Sequence, residues 1–405
     1  MENNEIQPTL YERLLKKEWS YYTGAVMVSL IAMTLLALTG GTWGASGPFG
    51  IWGAKFFSLF FGLDENGAIL GNKIGSYSFF THKFSVIDIA ITFGALISCL
   101  LAAEWKIRKI KHWKQFAAGI LGGFLMGIGA KLAGGCNIGG LFSQLPQFTG
   151  NGWVFLLFVF IGATLGGKLL KFFIPPSSGK RPNRKRLTPE ERKKNQRIQI
   201  IIGALLLVAL LVLGFALASR DAKYANVPYW IVIGLGFGYV MQRSRFCFTA
   251  AYRDPMLTHE TKLTKAVLVA FALCSIFFFG YHVNKYGLDL SAAKGLPGSP
   301  ISLNLMIGSC LFGIGAVLAG GCASGTFVRM GEGYVQTYIA FVGFALGGFL
   351  GTPLVASTKG TFLAYGPKVY LPSIFGYIPA LIIQLLLLVG LWILADWWER
   401  KKRVN

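Results

Sequence analysis

Residues 127–136 read GIGAKLAGGC, and residues 313–322 read GIGAVLAGGC. Nine of ten positions agree, at a spacing of 322 − 136 = 186 residues. Each copy closes a glycine-bearing apolar run, and each is followed three residues on by another glycine, Gly139 and Gly325. Chance does not produce such agreement, so the chain carries an internal duplication. Duplications of this kind mark secondary transporters and channels, whose sites lie near the bilayer midplane where helices are interrupted. Gly134–Gly135 and Gly320–Gly321 supply the interruption, because glycine permits a positive φ and hence a sharp break. Broken backbone at membrane depth is tolerated only where it is buried in protein or lines a cavity. A helix restarting at Cys136 or Cys322 aims free N–H groups and a positive dipole end into that cavity, which favours anions. The thiol adds a polarisable group with a weak S–H donor. The plainer reading of the glycines, close helix packing, accounts for one copy but not for a cysteine at the same place in both.

Composition agrees with a membrane setting. Of 405 residues, 54% are hydrophobic and 14% charged, with a mean hydropathy of +0.54. A soluble domain carries about 25% charged residues. The apolar residues fall in blocks of the roughly 20 residues needed to cross a bilayer: Tyr21–Leu38, Val86–Ala103, Phe116–Ala133, Trp153–Ile174, Ile198–Ala218, Pro228–Val240, Lys265–Tyr281, Leu303–Ala319, Tyr334–Leu350 and Ile374–Ala395. The first run, which lacks a small-residue cleavage site, reads as a retained span.

The net charge of +22 collects in the polar segments between blocks. One spans Glu104 to Lys114, a second Lys168 to Arg197, and a third is the tail Arg400, Lys401, Lys402 and Arg403. Cytoplasmic loops of membrane proteins are rich in Lys and Arg, which explains the excess without nucleic acid. With these segments inside, the helix ending at Cys136 runs outward, and counting Pro228–Val240 as a full span makes the helix ending at Cys322 run inward. The expected architecture is therefore an all-α polytopic membrane protein of about nine or ten transmembrane helices plus re-entrant half-helices. It would comprise two pseudo-symmetric, inverted repeats, 1–174 and 198–405, joined by a basic cytoplasmic linker over 175–197.

Three further features bear on chemistry. Gln242-Arg243-Ser244-Arg245-Phe246-Cys247-Phe248 places two arginines beside a cysteine at the end of an apolar segment. It reads as an anion-attracting site or as an interfacial anchor with a buried cysteine. Lys131 lies five residues before Cys136 inside an apolar stretch, where Val317 stands in the second copy. Charges within spans are rare and usually mark a pathway, although a lysine can also snorkel to the interface. The segment Trp43–Trp52, rich in Gly, Pro and Trp, fits a re-entrant or interfacial turn. Cys99, Cys274 and Cys310 lack glycine-turn contexts and read as small buried residues. No CxxC pair, metal-ligand spacing, nucleotide-binding loop or serine–histidine–acid set occurs, so no cofactor, no metal and no catalytic residue is expected.

At these residues the chain resembles the bacterial YeeE/YedE membrane family. The resemblance is carried by Gly134-Gly135-Cys136-Asn137-Ile138-Gly139-Gly140, by Arg245-Phe246-Cys247-Phe248 with Ala250-Ala251-Tyr252-Arg253-Asp254, and by Gly320-Gly321-Cys322-Ala323-Ser324-Gly325. It implies uptake of thiosulfate across the bacterial cytoplasmic membrane along Cys136, Cys247 and Cys322. The anion would be passed by weak S–H to sulfur hydrogen bonds, helped by inward-pointing helix N-termini. Lys131, Gly134, Gly135, Asn137, Gly139, Arg243, Arg245, Gly320, Gly321, Ser324 and Gly325 would support that path. A small cytoplasmic sulfurtransferase-like partner of the TusA type is also implied. The length, the basic linker and Leu145-Pro146-Gln147-Phe148 look more like the longer YedE branch, which is associated with selenium metabolism, and nothing in the motifs separates sulfur from selenium oxyanions. A different class, a membrane thiol enzyme forming a persulfide, stays open at this point, as does a scaffold whose glycines only pack helices.

Overall fold

The computed structural model describes residues 11–65, 67–173, 188–287 and 298–404. Among these, nine helices are long and apolar enough to cross a membrane, and the chain is a polytopic helical membrane protein. In order the helices are α1 (Tyr21–Thr39), α2 (Gly47–Phe61), α3 (Lys83–Leu101), α4 (Trp113–Leu132), α5 (Gly150–Phe173), α6 (Pro189–Ala218), α7 (Val227–Arg243), α8 (Phe248–Leu257), α9 (Lys262–Tyr286), α10 (Leu303–Ala319), α11 (Ala323–Gly331), α12 (Val335–Thr358), α13 (Leu371–Phe375) and α14 (Tyr377–Val404). The expected all-α architecture holds, with one two-residue hairpin, β1 (Ala68–Ile69) with β2 (Asn72–Lys73), after α2. Residues 175–187 of the expected linker lie outside the described residues. The remainder is helical, because Thr188 and Glu191 form a capping box and Pro189 occupies the first turn, a combination that starts a helix.

Between helices in lipid there is little hydrophobic drive, so close backbone approach at small residues does the packing. The seams are glycine-built. A methyl carbon on Gly123 would lie 2.1 Å from the Ala340 carbonyl oxygen, and one on Gly127 would lie 2.4 Å from the Gly348 nitrogen. The pairing 123 with 340 and 127 with 348 makes α4 and α12 parallel. Gly162 meets Cys310 and Gly166 meets Ile314, so α5 and α10 are parallel too. Gly122 meets Ala319 while Gly129 meets Gly308 and Phe312, which makes α4 and α10 antiparallel. Gly234 meets Ile87 and Gly238 meets Ile91, which sets α3 parallel to α7 by the same means. By contrast α6 buries only Gly203 and Gly214 and turns Leu205, Val212 and Phe215 outward, as a lipid-facing helix should.

The polar end of the bundle is tied by charge. Lys265 of α9 bridges Asp396 and Glu399 of α14 at 2.6 and 3.2 Å. The π-turn Glu12–Lys16 lies across the end of α7: Arg243 Nη1 donates to the Leu15 and Lys16 carbonyls at 2.8 and 3.2 Å, and the Tyr239 hydroxyl donates to the Leu14 carbonyl.

Candidate functional site

The two decapeptides form the same turn. In the first, Gly135 N–H donates to the Ala130 carbonyl and Gly134 N–H to that of Lys131; in the second, Gly321 pairs with Ala316 and Gly320 with Val317. These are the paired bonds of a Schellman ending, which requires a left-handed residue. Gly134 and Gly320 supply it, with φ of 72° and 84°. The backbone then turns extended at the cysteine, and the carbonyls of Cys136 and Cys322 accept from the N–H groups of Gly140 and Thr326 to start the next helix. Each cysteine is thus an N-cap. In the first copy the new helix is only the π-turn Asn137–Phe142, and in the second it is α11.

Cys247 stands in the same position, as N-cap of α8, with its carbonyl accepting from Ala251 N–H. This was not legible from its arginine-rich surroundings. Ser46 is the N-cap of α2, so four helix starts carry a small polar or thiol side chain. They meet in two pairs. The Cys136 sulfur is approached by the Ile138 and Gly139 N–H groups and by the Ser46 side chain. The Cys322 sulfur lies 3.4 Å from Ser324 Oγ, and a methyl carbon on Gly325 would lie 3.8 Å from both the Cys322 and the Cys247 sulfurs. Asn137 links the pairs, its Nδ2 donating to the Tyr252 hydroxyl of α8 while its Oδ1 has no partner. Cys136 and Cys322 are buried and Cys247 is partly exposed. Cys136 and Cys322 are therefore enclosed in the apolar core and Cys247 packs against it; the Ile138 and Gly139 amides, the Ser46 side chain and the Ser324 hydroxyl are polar neighbours within it, and α8, α11 and the π-turn converge on the thiols.

The cations fall differently from expectation. Arg243 is 1% exposed and fully engaged: Nε donates to Gln242 Oε1 at 2.7 Å, Nη2 meets Glu104 at 3.0 Å, and Nη1 holds the amino-terminal carbonyls. Arg245, at a φ of 54°, is bound by Glu18 at 3.1 Å and by Glu332 at 2.8 Å. Glu332 also accepts from Gln242 Nε2. Both arginines thus brace the end of α7 with their charge matched by carboxylates. Lys131 sits between α2 and α12, its Nζ 3.0 Å from where a methyl carbon on Gly50 would lie.

Three groups escaped the sequence reading. Ser46 lay within the Trp43–Trp52 segment but carried no signal beyond its neighbours. Arg329 of α11, half-buried, folds back so that Nη1 would be 3.4 Å from a methyl carbon on Gly320. The criterion applied to Lys131, a cation within an apolar stretch near a Gly-Gly-Cys turn, would have found it. Asp88 of α3 is fully buried, with only the Trp43 indole N–H at 3.4 Å on Oδ1; Trp43 in turn accepts from Ser143, at the end of the π-turn after Cys136.

A family profile described as "Sulphur transport" matches residues 1–165 and 243–405, which covers all three cysteine turns. The chain belongs to the sulphur transport family. Within that family it is 29% identical to "Probable transporter YedE" of Escherichia coli, over 96% of this chain and 94% of that one. It is 31% identical to "Thiosulfate transporter TsuA" of the same organism, over 42% of this chain and 47% of that one. Against "Thiosulfate transporter TsuA" of Spirochaeta thermophila it is 38% identical over 29% of this chain and 34% of that one. The sulphur transport match leaves out residues 166–242, where the outlying α6 and the body of α7 lie.

Proposed function

We propose that this protein takes up thiosulfate, or a closely related sulfur-containing anion, across a bacterial cytoplasmic membrane by passing it between Cys136 and the Cys247–Cys322 pair. The observation that carries the reading is that all three thiols cap the starts of separate helices, so each thiol lies beside free backbone N–H groups. An N-terminus stabilises an anion by its dipole and its open donors, and the S–H group offers a soft, weak hydrogen bond to a terminal sulfur. Weak stations suit conduction, which requires that an ion can leave each site as readily as it enters. The names borne by the shorter relatives favour thiosulfate, and the full-length likeness to a probable transporter favours transport over sulfur-transfer chemistry. A selenium oxyanion would fit the same stations.

The halves 1–174 and 198–405 act as inverted repeats about these stations. Support comes from α4 and α10 running antiparallel, while α4 with α12 and α10 with α5 make matching parallel seams. With the basic ends inside, Cys136 and Ser46 form the outer pair and Cys247 with Cys322 the inner one. The buried Asn137–Tyr252 hydrogen bond stands between the two pairs, so passage needs a small opening there. A small sulfurtransferase receiving the anion at the cytoplasmic face fits the basic collar there.

The test is radiolabelled thiosulfate uptake into proteoliposomes, with sulfate, selenite and selenate as competitors. Cys136→Ala and Cys322→Ala should each abolish uptake while the protein still inserts. Thiosulfate-dependent growth retained by both variants rejects the reading. Mass spectrometry after exposure to substrate should find the thiols unmodified; a stoichiometric sulfur adduct would instead indicate an enzyme.

A further inference from the structure

We infer that Arg329 is the anion-binding group at the inner end of the cysteine path, and that it takes the oxygens of a thiosulfate-like oxyanion whose sulfur end still faces Cys247 and Cys322. The inference rests on the uptake reading above and names the charge that reading lacks. An anion leaving two neutral thiols needs a compensating cation, since an unpaired charge in a low-dielectric site is costly. Neither arginine of the Arg243-Ser244-Arg245 motif can serve. Arg243 has its donors on Gln242, Glu104 and two carbonyls, and Arg245 is held between Glu18 and Glu332. Arg253, on the far side of Cys247, is paired with Asp254 at 2.7 Å.

Arg329 differs in every respect. Among the described residues no carboxylate and no hydrogen-bond acceptor meets its guanidinium. Its one fixed contact is the face of Tyr334, 5.5 Å from the ring centroid, and Arg108 covers the same ring at 4.4 Å. Stacking on an aromatic face orients a guanidinium while leaving its in-plane N–H fork open. Nη1 points back along α11 to the Gly320 turn, two residues before Cys322, where the absence of a side chain leaves room for it. On the same helix Thr326, fully buried, has a hydroxyl with no partner. A half-buried, oriented and unpaired fork, folded back to the turn that carries Cys322, is built for a planar pair of anionic oxygens. The thiols then read the remaining sulfur, which a sulfate ion lacks.

Arg329→Gln in proteoliposomes should raise the KM for thiosulfate about tenfold to a hundredfold, the usual loss for a charged hydrogen bond. Arg329→Lys, which keeps the charge but not the fork, should fall between. Binding gives a readout independent of turnover: thiosulfate should raise the melting midpoint of the solubilised wild-type protein, and Arg329→Gln should lose that shift. A KM and a melting shift unchanged in Arg329→Gln, while Cys322→Ala is inactive, overturns the role of Arg329 and leaves the cysteine path standing. Normal uptake in Cys136→Ala, Cys322→Ala and Arg329→Gln alike overturns both. Should Arg329→Gln fail to insert, Arg329→Lys decides, and a wild-type KM there overturns the proposal.

Discussion

Gly325 offers the sharpest test at the level of a single residue. It lies in the first turn of α11, and a methyl group there would sit at ordinary contact distance, 3.8 Å, from both the Cys247 and the Cys322 sulfurs. Alanine is favoured over glycine inside a helix by about 1 kcal/mol. Gly325→Ala should therefore leave the melting midpoint equal or higher while uptake falls steeply, because the space between the two thiols is filled. A loss of stability equal to the loss of uptake would count against a path there. The hydrogen bond from Asn137 to Tyr252 gives the opposite signature. Tyr252→Phe strands a buried amide donor, which costs about 1–3 kcal/mol, and should lower the melting midpoint. The cysteines at the duplicated turns were legible because the repeat placed them in register. The pairing of Cys247 with Cys322 was not, since it depends on the meeting of α8 and α11, which no local pattern records. The arginines misled for a related reason: sequence shows a charge, and only packing shows its counter-ion, here Glu18, Glu104 and Glu332.

At the level of elements, the long helices were legible because each is a continuous apolar block with its own stop. Gly40 ends α1 at a φ of 64° and Ser302 caps α10 by accepting from Leu305 N–H. Other short pieces were not, because one or two turns leave no periodicity to read: β1 and β2 and α13 fall in this class, whereas the restart after Cys136 was marked by its Gly-Gly turn. The start of α6 was misplaced because its first turns are charged, and their helicity comes from the cap and not from burial. The seams also resist reading, since glycine spacing says that a helix packs closely but not against which partner. Gly123→Ala tests one of them. Its methyl carbon would meet the Ala340 carbonyl oxygen at 2.1 Å, and α4 and α12 must part. Overpacking of this kind costs about 1–3 kcal/mol, read as a lowered melting midpoint, with weaker uptake because α4 delivers Cys136.

For the molecule as a whole, the distribution of charge predicts sidedness. Lys109, in the basic connection before α4, and Lys359, after α12, are both exposed and lie at opposite ends of antiparallel or parallel seams that fix their levels. A membrane-impermeant thiol reagent added to intact cells should label Lys359→Cys and not Lys109→Cys; the reverse pattern would invert the assignment of outer and inner pairs. One further matter follows from the strap formed by Glu12–Lys16. Its partner Arg243 is 228 residues from Leu15, so a stretch made well before α7 waits for all of those residues before its carbonyls find their donors. Chains emerge amino-end first. Biogenesis must therefore keep that stretch unattached until α7 is inserted, and the strap can close over the end of that helix only then.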